Sequence, residues 1–111
     1  MPRSHRRLAR QIIPSDAGGT SSLTVGPWVL LTKDSDGSAI GTISDQRVYF
    51  DNSSRMGTGV NYSYAQNVGN GTSLSKVVTG LKSGLTYYFA VVTIVGGIES
   101  DYSAETSAVA P

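Results

Sequence analysis

One run limits what this chain can fold into more than any other: Thr-Tyr-Tyr-Phe-Ala-Val-Val-Thr-Ile-Val, residues 86 to 95. It is built of β-branched and aromatic residues and is apolar at both alternating sets of positions. Such a run reads as a strand buried on both faces, set mid-sheet with a neighbour on each side. A single strand of this kind needs an all-β domain around it, and the rest of the sequence supplies one. Short β-branched and aromatic runs predict strands at 23–25, 28–32, 46–51, 62–66, 74–79, 86–95 and 103–109. Between them lie turn clusters such as Lys-Asp-Ser-Asp-Gly-Ser, Asn-Ser-Ser-Arg-Met-Gly-Thr-Gly and Gly-Asn-Gly-Thr, rich in residues that accept left-handed backbone or cap a turn.

The chain has 111 residues and no cysteine. One domain of this size holds one modest core, without disulfides or thiolate metal sites to support it. Two regions differ in composition. Residues 1–22 form a basic arm and a Gly/Ser linker, and residues 23–111 form the strand-rich body. Arg3, Arg6, Arg7 and Arg10 crowd the first ten residues, whereas in the body acids outnumber bases. The start lacks the apolar stretch of a signal peptide, because Leu8, Ala9, Ile12 and Ile13 are broken by Arg10, Gln11 and Pro14. No run approaches the length of a membrane span.

At Gly80 the sequence reads Gly-Leu-Lys-Ser-Gly-Leu-Thr-Tyr-Tyr-Phe-Ala-Val. This resembles the E–F corner of fibronectin type III domains, with Leu81 and, six residues on, Tyr87. Trp28 ahead of Asp36-Gly37-Ser38-Ala39-Ile40, the run Arg47-Val48-Tyr49-Phe50, and Glu99-Ser100-Asp101-Tyr102-Ser103 resemble further parts of bacterial and phage members. The resemblance implies a seven-stranded immunoglobulin-like sandwich with an extended basic N-terminal arm. It implies a core of Trp28, Val48, Phe50, Leu81, Tyr87, Phe89 and Val91. In it Tyr87 is the corner tyrosine, bonding backbone near Leu81. Some positions depart from the family: Ser83 replaces the usual corner proline, Gln46 stands where an aromatic often begins strand C, Lys76 lies on a face where an apolar residue is usual, and Val25-Gly26-Pro27 shortens or breaks the A–B region.

No arrangement for catalysis emerges. His5 is the sole histidine, and no base accompanies the many serines, so no catalytic, cofactor-binding or metal site is expected. Asp34-Ser-Asp36-Gly37-Ser38 has its glycine misplaced for an EF-hand and reads as a solvated loop. The Asn-x-Ser/Thr triplets at Asn52, Asn61 and Asn70 read as coincidences of a polar chain. Two binding surfaces are expected instead. The arm offers Arg3, Arg6, Arg7 and Arg10 for an acidic protein surface, with Leu8, Ile12 and Ile13 as apolar pegs. The outer sheet face is expected to carry Tyr49, Tyr88, Val92 and Ile94, more apolar than a free monomer favours.

The function expected is that of a non-catalytic structural module with protein subunits of a larger assembly as partners, in multiple copies, without a membrane or nucleic acid. By resemblance it is a virion component of a tailed phage, assembled in the host cytoplasm: a capsid decoration or a tail, baseplate or fibre accessory. The alternative is a spacer or glycan-binding module of a secreted bacterial glycan-degrading enzyme.

Overall fold

The computed structural model describes Arg7–Leu8, residues 14–29 and residues 41–111. Among these residues there is no helix. The strands are β1 (Arg7–Leu8), β2 (Ser21–Val25), β3 (Asp45–Asp51), β4 (Tyr64–Asn67), β5 (Lys76–Leu81), β6 (Thr86–Val95), β7 (Ile98–Glu99) and β8 (Thr106–Val109). The larger sheet runs β1-β7-β6-β3-β4, with β8 also paired to β6, and the smaller is β2-β5. All pairings are antiparallel. The seven strands from Ser21 onward form a two-layer, sandwich-like arrangement.

β6 has the bounds its composition predicts and lies inside the sheet. One edge pairs with β3 from Asp45↔Ile94 to Asp51↔Tyr88. The other edge is shared by β8 at Thr86–Phe89 and by β7 at Ile94–Val95. The interval between them is closed by two serines. Thr93 N donates to Ser100 Oγ (3.0 Å) and Val91 N to Ser103 Oγ (2.8 Å). Ser100 N and Ser103 N donate back to the carbonyls of Thr93 and Val91, both at 2.9 Å. Hydroxyls thus replace a missing stretch of ladder, and the buried backbone of β6 keeps its partners.

The inner face of the larger sheet packs against β2-β5. Val48, Phe50, Tyr87, Phe89 and Val91 join Val25, Val78, Leu81 and Ala110 in one core. The Phe50 ring sits 5.3 Å from Tyr64, 5.9 Å from Phe89 and 6.2 Å from Tyr87. Such aromatic pairs contribute roughly 0.5–1.5 kcal/mol each beyond their buried area. Val78 and Leu81 both reach this core although they lie three positions apart. The register with β2 moves from Leu23↔Val78 to Ser21↔Leu81, so β5 carries one extra residue. Gly80, at φ +75°, lies in that bulge, and a Cβ there would lie 2.0 Å from Asp16 Cβ. A glycine is what lets the strand turn a second apolar side chain inward.

Gln66 ties the layers together. Its amide nitrogen donates to the carbonyls of Thr79 (2.8 Å) and Ser15, and its oxygen accepts from Thr79 N (3.3 Å).

The strand expected at 28–32 is not formed where it is described: Trp28 and Val29 are irregular, and residues 30–32 lie outside the described residues, as does the Asp34–Ser38 loop. Trp28 is half-buried rather than enclosed, and packs against the edge of the core. Its indole nitrogen donates to Gln46 Oε1 at 2.8 Å, and a ring that must keep this polar handle bonded sits at the rim of the layers. The strand at 103–109 starts only at Thr106, because Ser103 spends its hydroxyl on β6.

Candidate functional site

Of the arm residues expected to bind a partner, Arg7 and Leu8 form β1, where Arg7 pairs with Glu99 and Leu8 with Ile98. Arg3, Arg6, Arg10, Ile12 and Ile13 lie outside the described residues. Where the description resumes, the Pro14 carbonyl accepts from Ala65 N at 3.0 Å. The two described parts of this region are therefore bonded at opposite edges of the same sheet, β1 beside β7 and Pro14 beside β4.

The expected outer face is not exposed. Tyr49 and Val92 are each 1% exposed and Ile94 6%, while Tyr88 is half-buried. Strand alternation does send Tyr49, Ala90 and Val92 away from Phe50 and Phe89, but they enter a second buried cluster with Tyr62 and Ala65, against which Tyr102 packs. The cover comes from loops. The Tyr102 ring meets Tyr49 at 5.2 Å and Tyr62 at 4.9 Å, both edge to face. Beside them lies Glu99, 0% exposed, which accepts from the Tyr49 hydroxyl and pairs with the Arg47 guanidinium. Burial, then the bond to Glu99, pushes the Tyr49 hydroxyl up to about 12. Burial and the bond to Glu105 raise Tyr62 as well. Arg47 and Tyr49, two apart on one strand face, were the sequence signal for a buried acid opposite. Glu99 itself carries none, being a lone acid in a two-residue strand.

The surface left open lies at the seam between the layers. β8 pairs with β6, yet all four of its residues are exposed, because among the described residues no strand of the smaller sheet faces it. A groove of about 740 Å³ results, with Phe89 and Val91 in its floor and β2, Trp28, Ser100–Ala104 and β8 on its sides. Gln46 braces its end. The side chain, 0% exposed, accepts from the indole and donates to the Ser73 (2.7 Å) and Asn70 (3.3 Å) carbonyls. Gln46, one of the positions that depart from the pattern the sequence resembles, is thus the residue that holds the tryptophan at the groove. Val29, 93% exposed, stands at the rim.

A third feature is the loop from β3 to β4. Asp51, at the end of β3, accepts from Asn52 N, Ser63 N, Ser63 Oγ and the Arg55 guanidinium, with the Arg55–Asp51 ion pair at 2.9 Å. Glu105, just ahead of β8, accepts from Ser54 Oγ, Arg55 N, Met56 N and the Tyr62 hydroxyl. Nothing in the sequence marked these carboxylates, which come from distant segments.

Among the described residues no group of three or more His, Cys, Asp and Glu could hold a metal ion, and no helix is long and apolar enough to cross a membrane. No family model matches the chain, and no curated protein does.

Proposed function

We propose that this chain is a fibronectin type III-like, non-catalytic structural module that joins protein subunits of a larger assembly, and that the assembly is the virion of a tailed phage. The observation that carries the reading is the open seam. An apolar floor of Phe89 and Val91 under an exposed β8 is the kind of surface a protein neighbour covers, and it gives the module a contact site independent of the arm. The polar walls, with Ser103, Thr106 and Ser107, supply bonds at the rim. The virion setting rests on the sequence resemblance. The basic arm adds charge for attachment beside the internal pairing of Arg7–Leu8.

Density-gradient banding of particles from the source organism tests the reading. The chain should band with the particles in a constant ratio to their major structural proteins. Ala108→Arg, which puts a charge into the groove wall, should leave the circular dichroism unchanged and remove the chain from the particles. A chain that stays at the top of the gradient while particles band refutes the virion setting, and undiminished incorporation of Ala108→Arg refutes the groove as the contact.

A further inference from the structure

We propose that the loop between β3 and β4, residues 52–63, is an acid-released latch: Asp51 and Glu105 clasp it while ionised and let it go when protonated. The geometry is that of two anions inside cages of donors. Glu105 receives Ser54 Oγ at 2.6 Å, Tyr62 Oη at 2.7 Å, Arg55 N at 2.9 Å and Met56 N at 3.2 Å. Asp51 receives Ser63 Oγ at 2.7 Å, Asn52 N at 2.8 Å, Arg55 Nε at 3.0 Å and Ser63 N at 3.1 Å. A carboxylate accepts at both oxygens. A carboxylic acid gives up acceptor capacity and presents an O–H that must itself donate, so neither cage survives protonation intact.

The loop has little else to hold it. Met56 is 49% exposed and Val60 52%, and a Cβ built on Gly57 or Gly59 would meet nothing within 4 Å. Tyr62 is buried and anchors one end in the second cluster. The charged and titratable groups around the clasp are Arg55 in the loop, Tyr62 at its end, and Tyr102, whose ring lies against Tyr62 and whose hydroxyl donates to Asn61. Tyr88 lies opposite Asp51 across the β3–β6 ladder. Arg55 is the cation of this set, and it is bound to Asp51, so loss of the Asp51 charge releases Arg55 too.

The direction of titration agrees. Burial raises the pKa of each carboxyl, but the donors outweigh it together, so Asp51 lies below its ordinary 3.8 and Glu105 below its ordinary 4.5. A depressed acid stabilises the closed form fully above its ordinary pKa, and that stabilisation is lost as pH falls through the native value. The latch is therefore closed at neutral pH and opens under strongly acidic conditions, while the ladders of β3 and β6 do not depend on either cage.

Amide hydrogen exchange of the full chain, followed by NMR from about pH 7 down to about pH 1.5, low enough to protonate carboxylates held in cages of donors, and corrected for intrinsic rates, tests this. The Arg55 and Met56 amides should lose roughly tenfold protection or more, the scale of a charged hydrogen bond, while the β3 and β6 amides keep theirs. Glu105→Gln should show the lowered loop protection already at neutral pH. Loop amides that stay protected in acid, or that lose protection only together with β3 and β6, overturn the proposal. A measurement without substitution stands beside it: the Glu105 carboxyl carbon and the Arg55 and Met56 amide shifts should titrate together, and amide shifts that ignore the carboxyl titration overturn it equally.

Discussion

The two faces of the larger sheet are both buried, but by different means. One face lays Val48, Phe50, Phe89 and Val91 against a second sheet, so layer covers layer. The other lays Tyr49, Ala90 and Val92 under two loop-borne rings, Tyr62 and Tyr102, with the Arg47–Glu99 pair beside them. The first is ordinary sandwich packing, whose strength lies in apolar area and close fit. The second is a polar closure whose aromatic rings keep their hydroxyls bonded and whose buried acid requires its cation. The difference shows that strand alternation decides which residues share a face, whereas the cover over that face is decided by segments far away in sequence. The same holds at the seam. Among the described residues, cover on the first face stops short of β8, and a groove lies beside it.

The sharpest way to break the comparison is to remove a ring from the first face. Phe50→Ala leaves a cavity among Tyr64, Tyr87 and Phe89, and large aromatic truncations in cores cost about 3–5 kcal/mol. Urea denaturation should show this as a lower midpoint with an unchanged slope. A loss under about 1 kcal/mol would mean that the layer-on-layer core is not where the stability lies.

On the second face the corresponding change is Arg47→Ala. It leaves the fully buried Glu99 without this cation, and breaking such a pair from one side costs about 3 kcal/mol. Glu99→Gln added to Arg47→Ala should recover part of the loss, since the amide oxygen still accepts from the Tyr49 hydroxyl and no charge remains to be compensated. If the double variant is no more stable than Arg47→Ala, the cost comes from lost packing of the arginine stem, and the two faces differ less than their chemistry implies.

Much of the first face was legible in the sequence. β6 was readable in full because a ten-residue run apolar on both faces has few alternatives, and β3 because Val48 and Phe50 alternate with polar neighbours. The second face was legible only in part. Tyr49 and Val92 were assigned to the face opposite Phe50 and Phe89, but exposure was expected where the structure buries them in a second cluster, because a strand pattern contains no information about loops that fold back over it. Tyr62 and Tyr102 were hidden for that reason, and Glu105 and Asp51 because their donors are mostly backbone amides, which every residue carries. The groove was illegible because, among the described residues, no strand of the smaller sheet lies opposite β8, and the strand expected at 28–32 is irregular where it is described, at Trp28 and Val29.

The smallest effect tests the corner that closes the first face. The resemblance placed the Tyr87 hydroxyl in a bond to backbone near Leu81. In the structure Lys82 N donates to Tyr87 Oη at 2.9 Å, so the hydroxyl oxygen is the acceptor and the group at risk is an amide. Tyr87→Phe keeps the ring, which is 1% exposed and packs at 6.2 Å from Phe50, so the packing contribution is unchanged. What is lost is one hydrogen bond to a partly buried N–H in an exposed turn, where water can replace some of it, and the cost is therefore about 1 kcal/mol. Lys82 amide exchange should accelerate in the same variant. A midpoint and a Lys82 exchange rate both equal to wild type would show that the corner bond contributes nothing, and that Tyr87 serves this face as a ring alone.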